Sequence, residues 1–239
     1  MKPWQKKRRW VEVAYSYKHD LEAYEILLDG KAIRTPGNKV FSIPTQGLAE
    51  AIASEWSSQS GTINPNLMPC TRMINSTIDK VIPQHDSVIN DLVGYGDTDL
   101  ICYRADSPEG LIKLQNEKWN PILEWLSTEF RISLALVEGI NYQAQNVLML
   151  KRFESIIRSF DFYTLMGIQE VITRLGSLAL ALAIHHDFVS PRKAWDLSNL
   201  DENWQKKHWG TDKESEIINR KKWKDFKESC KFLDLLKNK

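Results

Sequence analysis

One short segment, YGDTDLICYRADSPEGL from Tyr95 to Leu111, brings Asp97, Asp99, Cys102, Tyr103 and Arg104 together. Two chemistries would use such residues. A Cys102 thiolate could attack an electrophilic carbon, or the Asp97/Asp99 pair could share acid–base work, and either would make the chain a small hydrolase or transferase. The thiolate needs a partner base and positive surroundings. Arg104 lies on the same face of a strand as Cys102, with Tyr103 opposite, but the nearest histidine in sequence is His85. The competing reading is architectural and fits better: LICYR is a buried strand, and Asp97 and Asp99 cap a turn or pair with Arg104.

Other sites are excluded by pattern. No Gly-x-Ser-x-Gly nucleophile elbow occurs, and GYGD lacks the Gly-Lys-Ser/Thr ending of a phosphate loop. His185 and His186 are adjacent and project about 100° apart on a helix. With no Cys-x-x-Cys or His-x-x-x-His to assist them, no metal site is expected. No cofactor and no small-molecule substrate are expected either.

The elements that must position these residues follow from periodicity. The first 43 residues read as β: RWVEVAYSY and AYEILLD are strands, DGK is a hairpin turn, and IRTPGNKVFSIP supplies two more short strands. Thr45 then caps a helix whose stripe is Leu48, Ile52 and Trp56. TRMINSTIDKVI and PQHDSVINDLVGYG form two helices separated at Pro83, and TDLICYR is a strand. From Ser107 the chain is helical: one segment to Phe130 bent near Pro121, a last strand in RISLALVEG, then helices over Val147–Phe160, Phe162–His186, Pro191–Trp209 and Asp212–Leu236. Asp161 and Ser190 are N-caps, and Gly210 is a C-terminal stop. The fold expected is α+β, with an N-terminal β-hairpin sheet and helices over 1–104 and an all-α orthogonal helical bundle over 105–239.

Bulk properties narrow the function. The chain has 239 residues, 42% hydrophobic and 26% charged, which is enough for a sizeable core. Its 32 basic and 31 acidic residues leave a net charge of +1, so no nucleic acid is expected as partner. The short basic runs at Lys6–Arg9 and Arg220–Lys224 read as solvated faces. No apolar run reaches the roughly 18 residues of a membrane span, and no membrane insertion is expected. Three widely spaced cysteines, Cys70, Cys102 and Cys230, are no disulfide framework and suit a reducing compartment. The basic start lacks an apolar signal segment. The last third carries Trp195, Trp204, Trp209, Trp223 and Phe226 on charge-laced helices. Trp204, Trp209 and Trp223 sit among Lys and Glu, as tryptophans at protein interfaces do.

LLDGKAIRTP, LAEAIASEW, MPCTRMINSTID, YGDTDLICYRAD, GSLALALAI and LSNLDENWQKKHWG, in this order and spacing, resemble the Atp-twelve family. These are the assembly chaperones of the F-type ATP synthase α subunit, found in mitochondria and α-proteobacteria, and the resemblance spans about Arg9 to Leu236. It implies a non-enzymatic chaperone that binds the unassembled α subunit and shields the surface that later contacts β. The family fold, a β-containing N-terminal domain followed by a helical one, is similar to that outlined above. The family's DE-x-WQ and WG elements match Asp201, Glu202, Trp204, Gln205, Trp209 and Gly210, which implies a partner contact there with Glu202 foremost. Trp56, Asp99, Tyr103 and Arg104 are then structural. At His185-His186-Asp187 the sequence departs from the family, whose members tend to carry small and acidic residues before a glycine, which leaves that helix end open. A monomer is expected, in a bacterial cytoplasm, or in the mitochondrial matrix if the source is eukaryotic. A scaffold for another partner and a Cys102 or Asp97/Asp99 enzyme are the alternatives.

Overall fold

A computed structural model describes residues 7–139, 141–210 and 213–237. Lys6 of the first basic run and Asp212 at the expected start of the last helix lie outside the described residues. The fold is α+β and mostly helical, with one small antiparallel sheet near the N-terminus.

The chain divides into two compact units. The first comprises residues 1–85, 161–167 and 228–239, and the second 86–160 and 168–227. A sequence boundary after Arg104 falls inside the second unit.

In the first unit, β1 (Val13–Lys18) pairs antiparallel with β2 (Ala23–Leu28), and β2 with β3 (Lys31–Ala32). Asp29 and Gly30 join the latter two at φ 48° and 76°, the positive-φ pair that a twisted two-residue hairpin turn requires. β1 starts later than the residue pattern predicts. The Asp29 carboxylate instead accepts from the Val11 and Glu12 amides at 3.0 and 2.8 Å, which holds that stretch as a loop. The IRTPGNKVFSIP segment forms only isolated bridges, Arg34 with Val40 and Tyr24 with Ile43. Its turn is fixed by a side chain: Asp79 accepts from the Thr35 hydroxyl and the Gly37 amide, both at 2.8 Å.

Thr45 caps α1 (Gln46–Ser57) by accepting from the Leu48 amide, as predicted, and Leu48, Ala49 and Ile52 are buried. Trp56 is half-buried, its ring edge-on to Trp10 at 5.1 Å. Glu55 does more than its position announces. Its carboxylate accepts from the Cys70 and Thr71 amides and the Thr71 hydroxyl at 2.7, 2.9 and 2.6 Å, satisfying the opening of α2 (Pro69–Ser76). A π-turn over Thr77–Val81 follows α2. α3 (His85–Asp97) comes next, so a break at Pro83 is present.

Among its described residues the second unit is helical apart from two short parallel strands, β4 (Tyr103–Arg104) and β5 (Val137–Glu138). α4 (Glu109–Phe130) continues through Pro121, and α5 (Val147–Arg158) is capped by Asn146. The predicted helix Phe162–His186 is two helices, α6 (Phe162–Leu175) and α7 (Leu178–His185). Gly176 at φ 68° ends the first and Ser177 caps the second. α7 is buried from Leu178 through Ile184, as an all-apolar helix must be. The predicted helix Pro191–Trp209 likewise splits, at Asn199, into α8 (Pro191–Ser198) and α9 (Leu200–Trp209). α10 (Lys213–Lys237) completes the chain. Asp161 and Ser190 cap as expected.

Candidate functional site

The Asp97–Arg104 segment is consumed internally. TDLICYR is not a strand throughout: Leu100–Cys102 is a 3-10 turn, and only Tyr103 and Arg104 pair. The cause is Asp99, which is fully buried. Its carboxylate accepts from the Ile101 amide at 3.2 Å, starting that turn, and from the Ala179 amide at 2.9 Å in the first turn of α7. Desolvation pushes the Asp99 carboxyl up to about 6, against the opposing pull of these donors and of Ser177. Asp97 serves elsewhere, accepting from the Tyr142 hydroxyl and the Gln145 amide, each at 2.7 Å. The two aspartates therefore belong to separate structural contacts.

Neither aspartate pairs with Arg104. Its guanidinium donates to Asn116 and Asn120 at 3.3 and 3.1 Å and lies over the Trp119 ring at 5.1 Å. Burial lowers the Arg104 pKa, and the nearby Asp201 charge partly offsets this. Cys102 is fully buried, and desolvation, followed by the Asp99 charge, drives its thiol far above the ordinary range. Such a thiol is the reverse of an activated nucleophile. Cys70 and Cys230 are also buried and free. The enzyme alternative built on Cys102 or Asp97/Asp99 is thereby contradicted.

Around Arg104, one face of α4 forms a polar stripe that the sequence reading missed. Gln115, 1% exposed, accepts from the Ala105 amide and donates to Asp201 Oδ1, both at 2.8 Å. Trp119, equally buried, donates its indole N–H to the Leu197 carbonyl at 3.0 Å. The available signal was the i,i+4 repetition of Gln115 with Trp119 and Asn116 with Asn120 within an otherwise amphipathic helix. β4 and the start of α9 are thus pinned to the same helix.

The residues matched to the family's contact element lie on α9, except Gly210, which is its C-cap, and they have different surroundings. Asp201 is half-buried and held by Gln115. Glu202 is exposed and forms an ion pair with Lys206 one turn on, at 2.6 Å. Gln205 is exposed. Trp204 stacks on His208 at 3.9 Å and meets Trp209 edge-on at 5.7 Å. Trp209 is 74% exposed. By contrast Trp195, Trp223 and Phe226 cluster with centroids 5.3–5.7 Å apart. Trp195 and Phe226 are buried, so they are core and no part of an open face. α9 can present an aromatic end and charges to a protein surface.

Among the described residues no cluster of three or more His, Cys, Asp or Glu side chains could hold a metal ion. No helix among them is long and apolar enough to cross a membrane. His185 and His186 face different aromatics, Phe160 and Phe130 respectively.

Comparison with known proteins agrees along nearly the whole chain. Residues 7–127 match the family described as ATP12 chaperone protein. The mitochondrial atp12 protein of Schizosaccharomyces pombe is 24% identical over 200 residues, covering 78% of this chain and 68% of its own. The crystal structure of Atp12 from Paracoccus denitrificans is 36% identical with a TM-score of 0.90, covering 96% of this chain and 98% of that one. A point-substituted form of the same protein matches with the same identity and TM-score. A structure from Agrobacterium tumefaciens is 30% identical with a TM-score of 0.91, covering 96% of this chain and 86% of that one.

Proposed function

Since the chain belongs to the ATP12 chaperone family, whose members are assembly chaperones of ATP synthase and not enzymes, we propose that it holds the unassembled α subunit of the F-type ATP synthase. It shields that subunit's interface until the catalytic head forms. The observation that carries the reading is Trp209, 74% exposed at the end of α9 beside the stacked Trp204–His208 pair. A large amphipathic ring left open to water is the kind of residue that dominates protein interfaces.

The mechanism needs no bond-making. An orphan subunit exposes apolar area that aggregates beyond several hundred Å². A chaperone that covers it with an aromatic centre and a charged rim removes that area from water, and a tighter partner displaces it by mass action. Asp201, Glu202, Trp204, Gln205 and Trp209 supply the contact in this reading, and Asp99, Tyr103, Arg104 and Trp56 hold the frame. The working unit is a monomer with one client. It acts in the bacterial cytoplasm or its descendant compartment, the mitochondrial matrix.

Light scattering by isolated α subunit, warmed without nucleotide, tests the proposal. The protein is expected to suppress the scatter at equimolar ratio, and Trp209→Ala to weaken binding by about 30-fold, the weight of a hot-spot residue. Undiminished aggregation with the wild-type protein would remove the function. Full protection by Trp209→Ala would remove the site.

A further inference from the structure

α10 carries a second open surface, four residues beyond Trp209. Its inner face is spent on packing: Phe226, Cys230 and Leu233 are buried, and Trp223 joins the aromatic cluster. The outer face combines open apolar and basic side chains. Ile217 and Ile218 are 67% and 50% exposed. By the i,i+3/i,i+4 rule, Ile217, Lys221 and Lys224 share one stripe, and Ile218 and Lys222 lie on the stripe beside it. All three lysines are exposed and make no ion pair among the described residues, whereas Arg220 is taken by Glu216 at 3.4 Å. Glu214 and Glu216 stand in the first turn, where the helix dipole favours acids.

Two adjacent exposed isoleucines beside three exposed lysines form an apolar contact bordered by positive charge, which complements a surface that is apolar and acidic together. We propose that this face of α10 docks an acidic, amphipathic polypeptide segment. Apolar side chains of the segment cover Ile217 and Ile218, and its carboxylates pair with Lys221, Lys222 and Lys224. The proposal rests on the reading that the protein is a client-binding chaperone, and assigns the segment to the client. Charge pairing at the edge of an apolar contact fixes register and speeds encounter. It would also give binding a salt dependence that Trp209 alone cannot.

The test uses the full chain and isolated α subunit, with binding followed by fluorescence from low to high salt. Charge reversal of the pair, Lys221→Glu with Lys224→Glu, is expected to weaken binding at least tenfold at low salt and to flatten the salt dependence. Ile217→Ser with Ile218→Ser is expected to weaken it at all salt concentrations. Lys151→Glu, an exposed lysine on α5, controls for net charge and should leave affinity within twofold. Thermal melts of each variant should match the wild type, because none of these side chains is buried. Wild-type affinity and salt slope in the α10 variants would overturn the docking face while leaving the chaperone function intact. No binding of α by the wild type would overturn both. A short DNA duplex that binds the wild type and loses affinity in the lysine variant, with α binding unaffected, would assign the face to polyanions instead.

Discussion

The segment from Asp97 to Arg104 and the segment from Leu200 to Lys224 are both dense in charged and aromatic side chains, and they dispose of them in opposite ways. In the first, the carboxylates, the guanidinium and the thiol are turned inward: Asp99 and Cys102 are fully buried and Arg104 is 5% exposed. Backbone amides, asparagine carbonyls and an indole face take up their polar atoms. In the second, Trp209, Ile217, Glu202 and the α10 lysines stand in solvent with few internal partners. Reactive residue types therefore mark chemistry only when they keep unspent valence. Where the fold has already used them they mark architecture, and the open capacity of this molecule lies in groups that cannot catalyse but can adhere.

That contrast breaks if the buried segment tolerates change or the open one does not. The largest effect is expected at Trp119, which lies beneath Arg104 and bonds the Leu197 carbonyl. Trp119→Ala should cost about 3–5 kcal/mol in urea unfolding, from lost burial and the cavity left. Next comes Asp99. Its carboxyl titrates near 6 in the folded protein and near 3.9 when unfolded, so the folded state holds the proton more tightly. This group's contribution is greatest below about pH 4 and diminishes by roughly 3 kcal/mol as pH rises through 6. Glu55 is shifted in the same direction by its burial, so the informative quantity is the difference between wild type and Asp99→Asn across pH 4–7. Wild-type stability should fall relative to that of Asp99→Asn by roughly 3 kcal/mol as pH rises across this window. A parallel pair of stability curves would mean that Asp99 does not titrate in this window.

The smallest stability effect is expected at Glu202. Glu202→Lys loses one exposed i,i+4 pair with Lys206, worth about 0.5 kcal/mol or less. The same change should weaken protection of the α subunit while the melting curve barely moves. A large destabilisation would class Glu202 with the buried segment, and unchanged protection would take it out of the contact.

Much of this was legible from residue order. The Asp-Gly hairpin turn, the Thr45, Asp161 and Ser190 caps and the Leu48/Ile52 stripe were all written in spacings of two to four residues. So was the inert character of Cys102, which has apolar neighbours and no histidine within reach in sequence. Trp56 matched a family element and reads as structural, yet it is only half-buried, with its ring edge-on to Trp10. Apolar periodicity runs on across Gly176 and Asn199, so the pattern gives two long helices where the structure has four. A positive-φ glycine followed by a serine cap stops a helix regardless of period.

The sequence by itself determined the first hairpin, most of the helical segments, several of their caps and the family to which the chain belongs, since these depend on short-range steric and hydrogen-bonding preferences and on an ordered set of motifs. Only the tertiary structure decided which polar groups were spent. Asp99 meets Ala179, Gln115 meets Asp201 and Trp119 meets Leu197 across sequence separations of 80, 86 and 78 residues. Such pairings are selected by packing, because a buried donor or acceptor must find its partner wherever the fold brings one.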